Sequence, residues 1–376
     1  MEPDQLRGFS ETARRFARRE VAPLVGSDNR DGNLEALPEL LTKAESVGIL
    51  AGPSPDSPGH EFGVWGRACL SEGSRFSLMV LEEIAKACAG VASCLHFAGL
   101  ACLESADSPN PIRRAAVAFF EKNWRLVWDA LENPPPEATR LEVRNGRYTL
   151  SGSKSFVQSA PGCEGYLVYA RGDSTWQRAF IPKGASGLVI LDPGQRSGLA
   201  ALEVSHLSFN MTPVNPEHLL PPQAPSSFLQ RLLVGLCAIA VGNAKGALEA
   251  ARTYAAERYQ GGAHIETHPA IQVLLGEAAS RVSACSAHLL AEAERGEEGK
   301  DALWGAFAAK LRITIDCSQA VTDCLQVLGG YGYMEDFRLE KRLRDALTLK
   351  TMAIRPEDLR MLCAMGGPSG VGLLGS

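Results

Sequence analysis

The sequence lacks the patterns that mark several specialised classes of protein. Its ten cysteines include no C-x-x-C pair, the spacing that redox motifs and zinc sites favour. Lysine and arginine are spread among acidic residues, and a net charge of -5 argues against a nucleic-acid-binding surface. The longest uninterrupted apolar run, residues 232–242, is shorter than the roughly twenty residues of a membrane-spanning helix. These absences predict no metal site, no nucleic-acid partner and no membrane span.

What is present fits a folded, multi-domain protein of a reducing compartment. A length of 376 residues accommodates two or three domains. Most cysteines lie in apolar helical surroundings, where a cysteine behaves as a small buried hydrophobe. Residues 1–20 are amphipathic and arginine-rich but contain acids, unlike a signal or transit peptide. We therefore predict a cytoplasmic protein. His206, His264 and His268 have no metal-like spacing and are expected to be ordinary side chains.

Hydrophobic periodicity divides the chain into three domains and a tail. A helical domain is predicted at residues 1–125, a β domain at 126–222, a helical bundle at 223–365 and a tail at 366–376. In the first domain a loop rich in Gly, Pro and Ser occupies residues 52–73. The predicted helices of this domain are residues 5–21, 36–47, 75–89 and 111–122.

The second and third domains differ in the period of their apolar residues. Short alternating runs fill the second domain, and Asn145-Gly146 between two of them predicts a hairpin. The proline-rich run 221–225 predicts a linker. Helical blocks long enough for a bundle follow at residues 227–258, 269–295, 301–328 and 339–352.

The most specific motif lies in residues 326–345, QVLGGYGYMEDFRLEKRLRD. The Gly329-Gly330 pair predicts the end of a long helix with positive backbone φ. A backbone without Cβ atoms also lets another molecule lie against the peptide units, and exposed amides at such a turn suit a pyrophosphate. From the two glycines alone, a plain helix end and a phosphate-binding turn both remain open.

This motif resembles the C-terminal signature of the acyl-CoA dehydrogenase family, in which Q-x-x-G-G-x-G-Y precedes R-D-A. The resemblance implies a multi-domain α+β fold with an N-terminal helical domain, a middle β-barrel-like domain and a C-terminal four-helix bundle. It also implies an FAD cofactor and an acyl-CoA substrate. The matching residues are Gln326, Gly329, Gly330, Gly332, Tyr333, Arg344, Asp345 and Ala346.

Other positions match the flavin-binding pattern of the family less completely. Arg258 corresponds to an arginine that reaches the FAD pyrophosphate of a neighbouring subunit, although a cation at a helix C-terminus is also favourable without a ligand. With Arg258, the resemblance assigns Gln326, Gly329 and Gly330 to FAD. Phe156 and Gln158 stand where tryptophan and threonine usually contact the isoalloxazine ring, and core packing is an alternative for Phe156.

Further departures affect the segments around these positions. The family's T-E-P loop is assigned to residues 131–139, LENPPPEAT, in which only Glu132 and Pro134 echo it, and a usual phenylalanine falls on Gly261. Lys154 is predicted to be a surface charge near a turn.

The catalytic position departs most clearly from the family. There a glutamate removes the α-proton of the thioester while the β-hydrogen leaves as hydride to the flavin, and a dry carboxylate suits this task. In register from Arg344 that glutamate becomes Ala353. The alternative position in a minority of the family becomes Gln230, before Arg231. Neither residue can accept a proton.

Three hypotheses follow from these departures. The first is an FAD-dependent acyl-CoA dehydrogenase-like oxidoreductase acting on a CH–CH group with a displaced base, for which Glu357 is the nearest candidate; a solvated acid at a helix start is the alternative for Glu357. The second is a redox-neutral or oxygenase flavoenzyme that acts on an acyl-CoA without a glutamate, in which Arg355, beside the vacated site, binds an anionic substituent. Arg355 and Arg231 are the candidate substrate-binding residues. The third is a non-catalytic subunit of a hetero-oligomer.

The resemblance also implies a homo- or hetero-tetramer and an electron-transfer flavoprotein or another acceptor.

Overall fold

A computed structural model describes residues 3–25, 34–51, 63–66, 74–106, 108, 112, 114–121, 128–173, 175–295 and 299–365 of the chain. Most of the predicted loop at residues 52–73 and the whole predicted tail at 366–376 lie outside these described residues. The remaining predictions can be compared with the structure.

The N-terminal part is helical, as the periodicity predicts. Its helices are α1 Pro3–Phe16, α2 Leu37–Ser46, α3 Arg75–Ala87 and α4 Ala89–Glu104. A π-helical turn, Ala17–Val21, continues α1 to the predicted end at residue 21. Helix α4 was not predicted as a separate element. It is buried on almost every side, so no polar face marks its period, and only the extended Cys88 separates it from α3.

The middle part is a mixed eight-stranded sheet. Its strands are β1 Ala115–Ala118, β2 Arg140–Arg144, β3 Arg147–Ser159, β4 Gly165–Arg171, β5 Trp176–Pro182, β6 Leu188–Leu191, β7 Glu203–Val214 and β8 Leu219–Leu220. A short helix, α5 Asp129–Glu132, precedes β2. The strand order is β6-β7-β3-β2-β4-β5-β8, and β1 pairs with β4 in parallel. The predicted hairpin is confirmed: Asn145 and Gly146 join β2 to β3, and both have positive φ.

The prediction of a helix at residues 111–122 is wrong. Ala115–Ala118 forms β1 and joins the sheet, although alanine is a good helix former. Pairing with β4 supplies backbone hydrogen bonds that the local sequence does not reveal.

The C-terminal part is a bundle of long helices. They are α6 Ser226–Glu257, α7 Pro269–Glu294, α8 Gly299–Val327, α9 Leu339–Thr351 and α10 Pro356–Met365. A small hairpin of β9 Tyr259–Gln260 and β10 Ala263–His264 lies between α6 and α7. The first four helices agree with the predicted blocks to within two residues at each end, and residues 221–225 form the predicted linker without regular structure.

Helix α6 forms the centre of this bundle. Among the described residues it is the one helix whose length and composition would allow a membrane span, and 89% of its most apolar window is buried inside the protein. A buried core helix passes the same test, so this property is weak support for a span. Its glycines allow close packing: a Cβ on Gly242 would lie 2.3 Å from the carbonyl oxygen of Glu82 on α3.

A buried carboxylate connects the three parts of the chain. Glu104, at the end of α4, accepts a hydrogen bond from the Tyr169 hydroxyl at 2.6 Å. The same carboxylate lies 3.2 Å from a guanidinium nitrogen of Arg178 and 3.9 Å from one of Arg231. Tyr169 and Arg178 belong to the sheet and Arg231 to α6. We call these four residues the Glu104 cluster.

Candidate functional site

A cavity of about 860 Å³ lies between the sheet and the C-terminal helices. The sheet contributes Ser155, Phe156 and Gln158 from β3, and the residues after β1 contribute Phe120 and Glu121. The helical side is the end of α9 with the segment that leads into α10. A loop before β7, residues 193–199, forms a further wall. The remaining lining residues are Leu202, Val204, Leu347, Thr348, Thr351, Met352, Ala353, Ile354, Arg355 and Asp358.

Phe156 is held in the cavity by an irregularity in β3. The pairing of β3 with β7 shifts register between Lys154 and Val157, and Phe156 adopts φ +50° there. Such a backbone is unfavourable for an aromatic residue and is typical of functional positions. The ring is 59% exposed, and its main-chain N–H donates to Nδ1 of His206 at 3.2 Å. His206, predicted to be ordinary, supports this conformation, and the ring faces a cavity instead of the core.

Beneath Phe156 lies a buried ion pair. Lys154, predicted to be a surface charge, is fully buried on β3, and its Nζ lies 2.5 Å from Oε1 of Glu121. Nζ also donates to the carbonyl oxygen of Phe119 at 2.9 Å. Burial lowers the pKa of Lys154, and the charge of Glu121 opposes that shift. The prediction was wrong because Lys154 lies within the long strand β3, past the turn.

Residues 131–139, which the resemblance assigns to the T-E-P loop, lie away from the cavity wall. None of these described residues lines the cavity; Phe120 and Glu121, after β1, do. Thr139 alone reaches toward it, because its main-chain N–H and its hydroxyl donate to the two oxygens of Glu121. Glu121 is therefore occupied in holding the strand end.

The segment after α9 brings a cation, Arg355, and a buried acid, Asp358, to the cavity. Ala353 stands where the resemblance implies a glutamate. Ala353 lines the cavity with φ +64°. Arg355 lines the cavity as well, and its Nε and Nη2 each lie 2.9 Å from Oδ2 of Asp358. Asp358 is only 6% exposed. The cavity thus offers a carboxylate five residues after Ala353.

Glu357, the predicted base, does not reach the cavity. Its side chain is 71% exposed and lies 3.5 Å from Arg360. Successive residues on a helix are about 100° apart around its axis. Glu357 therefore faces solvent, whereas Asp358, the next residue of α10, faces the cavity. Asp358 is the carboxylate at the predicted location.

The residues of the alternative base position are also away from the cavity. Gln230 is 2% exposed, and its Oε1 has no hydrogen-bond partner among the described residues. Arg231 belongs to the Glu104 cluster, so its predicted substrate contact is not supported. Neither residue lines the cavity.

A second cavity of about 840 Å³ shares residues 194–197 with the first. The loop between the cavities is fixed to α9 by the R-D-A residues of the signature. Arg344 donates to the carbonyl oxygen of Ser197 at 2.6 Å, and Asp345 accepts from the main-chain N–H of Leu199 at 2.7 Å. The signature therefore positions the wall that the two cavities share.

The other half of the signature lies at the end of α8. Gly329 has φ +55°, and a Cβ on Gly329 or Gly330 would meet no atom within 4 Å. Helix α8 ends at Val327, as the glycine pair predicts. Gln326, in the last turn, is exposed. Arg258 lies with its guanidinium 5.5 Å from the centre of the Tyr331 ring.

Two observations in this region fit a bound dinucleotide. The buried Nε of Arg258 has no hydrogen-bond partner among the described residues. The open backbone at Gly329-Gly330 leaves room for a phosphate group. Together with the exposed Phe156 ring in the cavity, these residues fit FAD. Arg258, Gln326 and the two glycines do not line the same cavity as Phe156 and Gln158.

Comparison with known proteins accounts for this arrangement. Residues 3–106 match the N-terminal domain of acyl-CoA dehydrogenases, and residues 226–353 match their C-terminal domain. The chain belongs to the acyl-CoA dehydrogenase family. Its fold is the acyl-CoA dehydrogenase fold, with helical N- and C-terminal domains and a mixed sheet between them.

Relatives within the family act on acyl-CoA thioesters. Cyclohexane-1-carbonyl-CoA dehydrogenase of Geobacter metallireducens is 27% identical over 367 residues, covering 91% of this chain and 92% of the relative. Benzylmalonyl-CoA dehydrogenase of Aromatoleum aromaticum is 27% identical over 366 residues, with the same shares covered. Butyryl-CoA dehydrogenase of Megasphaera elsdenii has a similar structure, with a TM-score of 0.79, 22% identity and coverage of 97% and 98%.

The sequence did not indicate two residues of the cavity wall, Glu121 and Asp358, or the burial of Lys154 behind Glu121. Glu121 was hidden in a segment read as helical, and its partner Lys154 was read as exposed. Asp358 stands directly beside the residue that was chosen. Its signal was available, because a proline at residue 356 commonly begins a helix and sets the direction of the residues that follow.

Proposed function

We propose that the protein is an FAD-dependent oxidoreductase that acts on the CH–CH group of an acyl-CoA thioester, with Asp358 as a displaced catalytic base. The observation that carries this proposal is the buried carboxylate of Asp358 in the cavity wall beside Ala353. Family membership supplies the reaction class, and the cavity supplies a replacement for the glutamate that the sequence lacks.

The cofactor would be held by two groups of residues. Phe156 and Gln158 would contact the flavin ring in the cavity, while Arg258, Gln326, Gly329 and Gly330 would bind the pyrophosphate of a cofactor shared between subunits. A flavin held there would supply the acceptor for the hydride that leaves the β-carbon of the substrate. This sharing requires an oligomer, and we propose a homo- or hetero-tetramer that passes electrons to an electron-transfer flavoprotein or another acceptor.

The protein residues prepare the proton transfer. Arg355 binds Oδ2 of Asp358 through two nitrogens and so fixes the carboxylate in one orientation. Ala353 has only a methyl side chain, so the space in front of the Asp358 carboxylate is not filled by a longer side chain at this position. Apolar side chains, including Leu199, Val204 and Ile354, form part of the wall around this space. Asp358 takes the α-proton onto its carboxylate, a step to which a positioned base contributes on the order of 10² to 10⁴ in rate.

Neighbouring acids provide a matched test of the base. Asp358→Asn keeps the size and the hydrogen-bond acceptor for Arg355 but cannot accept the proton. We expect it to lower the rate of flavin reduction by acyl-CoA by about 10² or more, measured by loss of flavin absorbance in a stopped-flow instrument. Glu357→Gln changes an exposed acid one residue earlier and is expected to leave that rate unchanged.

The alternatives predict other results. Flavin reduction that is equally fast in Asp358→Asn excludes this residue as the base. A flavin-containing protein that saturated acyl-CoA thioesters never reduce, but that converts a substituted thioester, favours redox-neutral or oxygenase chemistry. A protein that binds flavin only when expressed with a second, base-containing chain favours the non-catalytic subunit.

A further inference from the structure

Both carboxylates of the cavity wall are paired with cations. Glu121 and Asp358 line the cavity. Glu121 is bound to Lys154, which lies behind it, and Asp358 is bound to Arg355, which also lines the cavity. Arg196 is the other cation among the described lining residues. A ligand with an anionic group would therefore meet two guanidinium groups in the wall, beside carboxylates that already have a cationic partner.

Arg355 uses only part of its guanidinium group in hydrogen bonds to described residues. A guanidinium has five N–H donors, and those of Arg355 that are engaged, on Nε and Nη2, point at the single atom Oδ2 of Asp358. The other edge, with Nη1, has no acceptor among the described residues. The side chain is 64% exposed and lines the cavity. Arg355 can therefore bind a second carboxylate while it keeps the first.

The neighbouring residues favour such a ligand at this place. A glutamate at position 353, as elsewhere in the family, would put a negative charge beside an incoming carboxylate and repel it. Ala353 carries no charge, and the Asp358 carboxylate that lines the cavity is already paired with Arg355. A planar carboxylate matches the two parallel donors of a guanidinium edge, which gives Arg355 an advantage over a lysine.

On the basis of the proposed function, we propose that Arg355 binds a carboxylate on the acyl group, so that the substrates are CoA thioesters of dicarboxylic acids. The thioester end of such a substrate lies against Ala353 and Asp358, and its distal carboxylate lies against the free edge of Arg355. The distance between the two ends then selects the length of the acyl chain.

The test measures binding without turnover. FAD-loaded Asp358→Asn protein is titrated calorimetrically with pairs of thioesters that differ only in a terminal carboxylate or methyl group: succinyl- and butyryl-CoA, glutaryl- and pentanoyl-CoA, adipoyl- and hexanoyl-CoA. We expect at least one dicarboxylic thioester to bind about ten- to a hundredfold more tightly than its partner, the range for a charge-assisted hydrogen bond. Adding Arg355→Gln abolishes that preference, and adding Arg355→Lys restores part of it.

Arg360→Gln is the matched control, because Arg360 is an exposed arginine of α10 that does not line the cavity. It is expected to keep the preference. Equal binding of both members of every pair, or a preference that survives Arg355→Gln, overturns the role of Arg355 and leaves the proposed function intact. Failure of every thioester to bind overturns the proposed function itself.

Discussion

A single residue decides whether an acidic side chain of α10 faces the cavity or the solvent. Glu357 and Asp358 are adjacent acids, and Glu357 is the nearer of the two to Ala353 in the sequence, which favours Glu357 as the predicted base. The structure places the second in the cavity, because Pro356 begins the helix and fixes the rotation of the residues after it. The sequence predicts an acidic residue near the start of α10. It does not predict the start of the helix to within one residue, so it does not tell which of the two acids faces the cavity.

Lys310 is a second residue whose surroundings the sequence does not reveal. It is fully buried on α8, and its Nζ donates to the carbonyl oxygens of Leu349 and Lys350 at 2.8 and 3.3 Å. These carbonyls end α9, directly before the segment with Ala353. Burial lowers the pKa of Lys310 to about 8. The Lys310 amino group thus satisfies carbonyl oxygens at the end of the helix that leads into the site.

The lowered pKa of Lys310 predicts a pH-dependent stability. Between about 8 and the ordinary value of 10.5, the unfolded chain binds a proton that the folded protein does not. Lys310 therefore makes the free energy of unfolding rise with pH across this window, by about 3 kcal/mol at most. We expect Lys310→Met to lose this rise, as measured by urea unfolding of both proteins at a series of pH values. Parallel pH profiles for the parent and the variant would contradict the prediction.

Among the elements, those defined by local chemistry were predictable. The β2–β3 hairpin follows from Asn145-Gly146, and the bundle helices follow from their apolar period. Helix α4 and strand β1 were not predictable, since the first is buried all around and the second depends on pairing with β4. The cavity likewise needed the tertiary structure, because its walls come from β3, the loop 193–199 and the end of α9.

The contact between that loop and α9 can be tested at Gly198. A Cβ at this position would lie 2.4 Å from the carbonyl oxygen of Arg344 and 2.7 Å from the Thr348 hydroxyl. Gly198→Ala must move the loop away from α9, which reshapes the wall shared by the two cavities. We expect a loss of about 1–3 kcal/mol in the free energy of unfolding and weaker acyl-CoA binding.

Urea unfolding and calorimetric titration measure the two effects. Gly184→Ala is the control, since a Cβ there meets no atom within 4 Å and the residue lies in the loop between β5 and β6. If Gly198→Ala unfolds and binds like Gly184→Ala, the loop is not held against α9 as described.

At the scale of the whole molecule, the two groups of residues proposed to bind FAD lie in different places. Phe156 and Gln158 line the cavity, whereas Arg258 lies near Gly329-Gly330 elsewhere on the chain. We expect Arg258→Gln to weaken FAD binding by about tenfold or more, because a buried donor would lose its phosphate partner. The flavin that stays bound after gel filtration measures this effect. The Arg252→Gln variant, which changes an exposed arginine near the end of α6, the helix before Arg258, is expected to retain its flavin. Equal retention by both variants would remove Arg258 from the cofactor site.

The Glu104 cluster limits how the protein can admit its substrate. Separating the N-terminal helices, the sheet and the bundle would break the hydrogen bond from Tyr169 to Glu104 and the ion pair of Glu104 with Arg178, and hydrogen bonds to charged groups contribute about 1.5–3 kcal/mol each. Hinge opening between the domains is therefore disfavoured. We therefore expect substrate access to depend on smaller motions of the cavity rim, of which the loop 193–199, between the two cavities, is a part.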